Sequence, residues 1–232
     1  VVDKNERFAN SIRDIFNGNS NWSQRRVKVA SLIDTSGKGE VKHVLMKEQV
    51  FNKAFCGLST YSPYYVSDIV SRLVSKFPDL GDALLKSEIE TVRTLILEKC
   101  LFTDVKVLDK FAKSGTSSEK RFAAKVCSIA ALRGLTKDDD YVVRKLAFER
   151  LGPAECLDEM LTDKRADIRA MGAAAAPYGY KKIGEVIMKE IAKRPFTIMV
   201  SKVPREFLPL ILANRNLKSK WVAELVQQRM DQ

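Results

Sequence analysis

Among 232 residues there is a single histidine, His43, and this limits the chemistry the chain can do. The cysteines stand at 56, 100, 127 and 156, separated by 44, 27 and 29 residues, with no C-x-x-C pair. Structural zinc and dithiol redox sites need ligands at close, characteristic spacing, so these four read as small core residues in a reducing compartment. Gly37-Lys38 suggests a phosphate loop, but that motif needs Gly at 32 and Ser or Thr at 39. Leu32 and Gly39 occupy those places, which leaves a flexible turn. Asp138-Asp139-Asp140 is the one tight acidic cluster. It offers oxygen ligands to a hard cation, yet acids at a helix start are favoured by the helix dipole alone. There is no nucleophile elbow and no Glu-x-x-His. No catalytic residue, metal or cofactor is therefore assigned, and the pattern favours a non-catalytic protein, with carboxylate chemistry the one kind left open.

The basic residues are more informative. The formal charge is +11 and the isoelectric point near 9.5. Residues 1–100 contribute +3, 101–150 contribute +4, 151–175 contribute −2 and 176–232 contribute +6. A positive excess concentrated in the later half permits attraction to a polyanion. The candidate contacts are Lys110, Lys113, Lys120, Lys125, Lys181, Lys182, Lys189, Lys193 and Arg194. They fit a nucleic-acid backbone, engaged through phosphates without reading bases. They also fit a protein scaffold with an acidic partner, in which the lysines are solvated surface. Tyr61, Tyr64 and Tyr65 cluster where they could stack on a ring, although aromatic anchors between packed helices are the commoner use. No apolar run approaches the length of a membrane span, and Asp3, Lys4, Glu6 and Arg7 stand where a signal peptide would be apolar. A cytoplasmic protein, or a nuclear one in a eukaryote, is expected.

The elements that must position these cations are helices. Apolar residues recur at helical spacing throughout, with Gly or Pro between segments, which predicts about a dozen helices. Expected segments include Asn5–Phe16, Glu40–Phe55, a helix opened by Ser62-Pro63, Glu119–Arg133, Tyr180–Ala192 and Leu217–Met230. In Tyr180–Ala192, Ile183, Val186, Ile187 and Ile191 should face inward and Lys181, Lys182 and Lys189 outward. One phrase is repeated. Asp140-Tyr141-Val142-Val143-Arg144-Lys145-Leu146-Ala147 is answered 25 residues later by Arg165-Ala166-Asp167-Ile168-Arg169-Ala170-Met171-Gly172, with Arg169 on Arg144 and Gly172 on Ala147. Arg121 with Ala124 supplies an earlier copy. Gly152-Pro153 stops one helix and starts the next, so the unit is a helix pair. The small residue three after each Arg suits close packing of neighbouring second helices.

This phrase resembles the HEAT-like repeats, and its short period with a following Pro looks most like their leucine-rich-variant branch. The resemblance covers residues 103–177 well and the rest only by helical pattern. It implies an all-α, right-handed α-solenoid forming one domain over 1–232: degenerate N-terminal helices in 1–102, recognisable repeats in 103–177 and capping helices in 178–232. It also implies that Arg121, Arg144 and Arg169 bind a carboxylate or carbonyl of the adjoining unit. Some basic HEAT-like solenoids are DNA glycosylases, which hold damaged duplex in a concave face with aromatic side chains and an Asp. The two tryptophans here, Trp22 and Trp221, lie at opposite ends of the chain. The function implied first is a non-catalytic module that engages a nucleic-acid backbone or other polyanion.

Overall fold

The computed structural model describes residues 4–18, 22–47, 62–99, 101, 102, 104, 106–214, 217 and 219–232. Among them are sixteen α-helices, one 3₁₀ turn and no strand, as the helical periodicity predicts. The chain condenses into two compact units, Val1–Ala123 and Ala124–Gln232.

The first unit contains α1 (Lys4–Asn17), α2 (Trp22–Thr35), α3 (Lys38–Met46), α4 (Ser62–Lys76), α5 (Leu80–Leu84), α6 (Glu90–Glu98), α7 (Val107–Ser114) and most of α8 (Ser117–Val126). Phe8 and Ile12 of α1 are buried, as their spacing requires, and α1 packs on α2 and α3. On α2, Val29 and Ile33 are buried and Val27 is exposed. The last carbonyls of α2 lack helical partners, and Lys76 from the end of α4 supplies them. Its Nζ donates to the Ile33 and Asp34 carbonyls at 2.6 and 2.7 Å. On α5, a Cβ at Gly81 would overlap the Leu101 carbonyl oxygen, so only glycine allows this approach. The helix expected over Glu40–Phe55 has ended at Met46. Val50, Phe51, Phe55, Cys56, Tyr61, Cys100 and Thr103 lie outside the described residues.

The second unit contains α9 (Ile129–Leu135), α10 (Tyr141–Leu151), α11 (Pro153–Leu161), α12 (Ala166–Ala175), α13 (Lys181–Ile187), α14 (Lys193–Lys202), a 3₁₀ turn (Arg205–Phe207), α15 (Leu208–Ala213) and α16 (Lys220–Asp231). Two expected helices prove to be shorter than their sequence pattern. Glu119–Arg133 is broken at Cys127-Ser128, because Ser128 turns to an extended conformation and accepts the Ala131 amide at 3.2 Å, capping α9. Tyr180–Ala192 is helical only over α13, and Ile191 stands 80% exposed.

Three helix pairs follow one another here: α10 with α11, α12 with α13, and α14 with α15. The first helix of each ends just before a proline, at Gly152-Pro153, Ala176-Pro177 and Val203-Pro204. Proline pushes the residue before it out of the helical region, and Ala176 and Val203 are accordingly extended. Gly152 has φ of +79°, a value that favours glycine. First helices touch, α12 on α14, and second helices touch, α11 on α13. Leu161, Ala173, Ile183, Ile187, Phe196 and Met199 form the shared core, which Val222 and Val226 of α16 close. The small positions are tightly packed, as expected, but Gly172 stands on a first helix, so its close contact joins a first helix to a second one and not two second helices. Ala124 and Ala147 are fully buried, and a Cβ at Gly172 would meet the Met160 Cβ at 2.9 Å and the Leu161 amide at 3.1 Å. The surface that Gly172 meets is α11.

Candidate functional site

The arginine phrase organises the second unit. Arg144 donates Nε to Asp163 Oδ2 at 2.8 Å and a terminal nitrogen to Oδ1 at 2.9 Å. Its other terminal nitrogen reaches the Asp138 and Asp139 carbonyls at 2.9 and 3.0 Å. Arg169 repeats the arrangement, forked on Glu190 at 2.5 and 2.9 Å and bonded to the Asp163 and Lys164 carbonyls at 2.8 and 3.0 Å. Asp163 thus holds one arginine with its side chain and the next with its backbone. Both side chains of each pair are mostly or wholly buried. The planar fork of arginine fits a carboxylate bidentately, which lysine cannot do.

A second regularity underlies this one. The carboxylates Asp138, Asp163 and Glu190 each accept the amide two residues ahead, from Asp140, Arg165 and Ala192 at 2.9, 2.7 and 2.8 Å. Each therefore fixes the turn that leads into a first helix. Asp140 in turn caps α10 by accepting the Val142 amide at 2.9 Å. Asp138 and Asp140 of the acidic cluster are thereby engaged in turn and cap, and no group of three potential metal ligands occurs among the described residues. Counted from its turn carboxylate, the next arginine would fall at 196. That place holds Phe196, fully buried and edge-on to Trp221 at 5.2 Å between ring centroids.

In the first unit a brace of the same kind is made by a residue that the sequence phrase did not indicate. Arg93 donates to Glu119 at 2.5 Å and to the Ser87 carbonyl at 2.6 Å, while Glu119, 2% exposed, accepts the Thr116 amide at 2.8 Å. Arg121, the expected copy, is exposed. Its following Ala124 matches the phrase, but Arg93 matches the carbonyl pattern, six residues after its acceptor as in Arg144 and Arg169. The signal that could have found Arg93 is Ser87-Glu88 six and five residues before it, a turn into α6.

The predicted polyanion contacts are surface lysines. In the first unit Lys110 and Lys113 lie exposed on α7, and Lys120 is half-buried on α8. In the second unit Lys125 lies exposed at the end of α8. The structure brings Lys181, Lys182 and Lys189 together around Glu185. Lys182 bonds Glu185 at 2.9 Å, and the three lysines together hold its carboxyl below the usual range, Lys182 most strongly. Lys193 and Arg194 begin α14, where the N-terminal dipole disfavours cations. Arg194 reaches Asp167 at 3.4 Å in an exposed pair, whereas Lys193 is exposed.

Beside the lysines is a cleft of about 360 Å³. Leu161, Val186 and Ile191 give it apolar walls, Lys182 and Lys189 stand on its rim, and the Arg169–Glu190 pair forms part of its lining. No family model matches the chain, and no curated protein or solved structure is similar to it.

Proposed function

We propose that the protein is a non-catalytic α-solenoid binding module of HEAT-like helix pairs, and that its second unit engages an extended polyanion through the basic surface of α13 and the start of α14. The observation that carries this reading is the contrast between two kinds of cation. Arg144 and Arg169 are buried and matched by carboxylates, so their charge is already used. Lys181, Lys182 and Lys189 gather at the carboxylate of Glu185, with Asp158 also acting on Lys182, and Lys193 is exposed at the start of α14. Such lysines cost little as surface and attract phosphate or carboxylate over a Debye length of about 10 Å.

Two polyanions meet this description, a nucleic-acid backbone and an acidic protein segment. The second is favoured by apolar side chains exposed in the same unit, with Ile191 beside the lysines. The deciding measurement is a salt titration of binding to mixed-sequence DNA and RNA and to an acidic peptide. If about five phosphates are engaged, log K falls against log salt with a slope near −4 to −5 and without regard to sequence. Reversal of Lys181, Lys182 and Lys189 to Glu weakens binding to every probe that uses this face. Undiminished affinity after the triple reversal, or no affinity for any polyanion at low salt, overturns the reading.

A further inference from the structure

Ile191 is the residue whose sequence pattern and position disagree most. It continues the apolar stripe of Ile183 and Ile187, which are fully buried, yet it stands 80% exposed. Its position is not slack. Glu190 before it is forked by Arg169 and accepts the Ala192 amide at 2.8 Å, so both neighbours of Ile191 are pinned. Just upstream, the Met188 carbonyl is held by the Asn214 side chain at 2.9 Å. A side chain held in water by such a rigid turn forgoes burial that a longer α13 would have offered, and a departure of this kind marks a functional place.

The surroundings state what would cover it. Ile191 forms the wall of the cleft together with Leu161 and Val186, and the cleft is within the size range of small binding pockets. Two charged groups of its lining, Arg169 and Glu190, satisfy one another and ask nothing of a ligand. Of the other charged groups in the lining, Asp163 is taken up by Arg144, and Glu185 is faced by Lys182, Lys189 and, from outside the lining, Lys181, so cations are in excess there. A nucleic-acid backbone would use the lysines and leave the aliphatic walls wet. An acidic peptide with an aliphatic side chain uses both.

We infer that this cleft is a docking site for an acidic peptide segment that inserts one aliphatic side chain between Leu161, Val186 and Ile191 while its carboxylates pair with Lys182 and Lys189. This rests on the polyanion reading and selects a member of it. The test uses fluorescence polarisation at low salt with a labelled oligoglutamate carrying one central leucine, and with the same peptide carrying serine there. The leucine peptide is expected to bind about ten-fold tighter, the share of a leucine half-withdrawn from water. Ile191→Ser, at an exposed position and therefore compatible with folding, is expected to abolish that difference and leave the serine peptide unchanged. Lys182→Glu with Lys189→Glu is expected to weaken both peptides. Equal binding of the two peptides, or a preference that survives Ile191→Ser, overturns the docking site while leaving polyanion binding intact. Duplex DNA that binds more tightly than the leucine peptide and displaces it from the wild-type chain also overturns it, in favour of nucleic acid. If neither peptide nor DNA binds at low salt, the polyanion reading fails with it.

Discussion

Arg144 and Arg194 carry the same guanidinium, and their surroundings give them opposite importance. Arg144 and Asp163 are each about 95% withdrawn from water. Truncating Arg144 to Ala leaves a carboxylate buried without its partner, which costs about 3–5 kcal/mol. Arg194→Ala removes an exposed pair whose worth is about 0–1 kcal/mol. Urea midpoints of the two variants should therefore separate clearly, and equal midpoints would mean that the brace is not under load. The cysteines make a second prediction at this scale. Cys127 and Cys156 are buried, and burial raises the Cys156 thiol above its ordinary value, with Glu159 and Glu155 adding to the effect. Since the thiolate is the reacting form, both should resist alkylation in the native protein and react on unfolding. Mass spectrometry of iodoacetamide adducts at each position, before and after urea, checks this.

Glycines divide the elements into those that must stay close and those that need not. Gly172 on α12 lies against Met160 and Leu161 of α11, and part of what its Cβ would meet is backbone, which cannot step aside. Gly172→Ala is expected to destabilise by about 1–3 kcal/mol. Gly134 on α9 has open space for 4 Å around the place a Cβ would take, and its φ is not positive. Gly134→Ala is therefore expected to stabilise by about 0.4–1 kcal/mol, through lost freedom of the unfolded chain. Thermal melts of the two variants should move in opposite directions. Ala147→Leu belongs with Gly172: the position is fully buried, and overpacking it should cost about 1–3 kcal/mol. A parent-like melt for Ala147→Leu would show that this contact tolerates size and that the repeat register is misplaced.

At the scale of the whole molecule the prediction is one of content. The far-ultraviolet circular dichroism should be that of a mainly helical protein, and a strand spectrum would contradict the fold. No helix among the described residues is long and apolar enough to cross a membrane. The helix pairs of the second unit share a core from Leu161 to Val226. Stability there depends on contacts between successive pairs, so changes at the Arg169–Glu190 brace should be felt by α14 as well as α12. Hydrogen exchange of α14 amides in Arg169→Ala, faster than in the parent, is the expected result.

Helical class, the phrase at Arg144 and Arg169, its structural use and the small residues after it were all legible in the sequence. They depend on local periodicity and on residue types with few alternative uses. The proline period was legible too, since Pro153, Pro177 and Pro204 recur at one per pair, but Pro204 reads in isolation as a mere interruption. Other features could not be read along the chain. That Arg93 makes a carbonyl-and-carboxylate brace could not be read from its neighbours, because its acceptor, Glu119, lies 26 residues further along the chain. Likewise, whether an apolar residue such as Ile191 continues a helix or leaves it was decided by Arg169, which fixes Glu190 from another element and ends the helical path. The sequence by itself determined where helices form, from apolar period and turn residues. Only the tertiary structure decided which cations are consumed in holding it together and which stay exposed at the surface, because charge is neutralised through space.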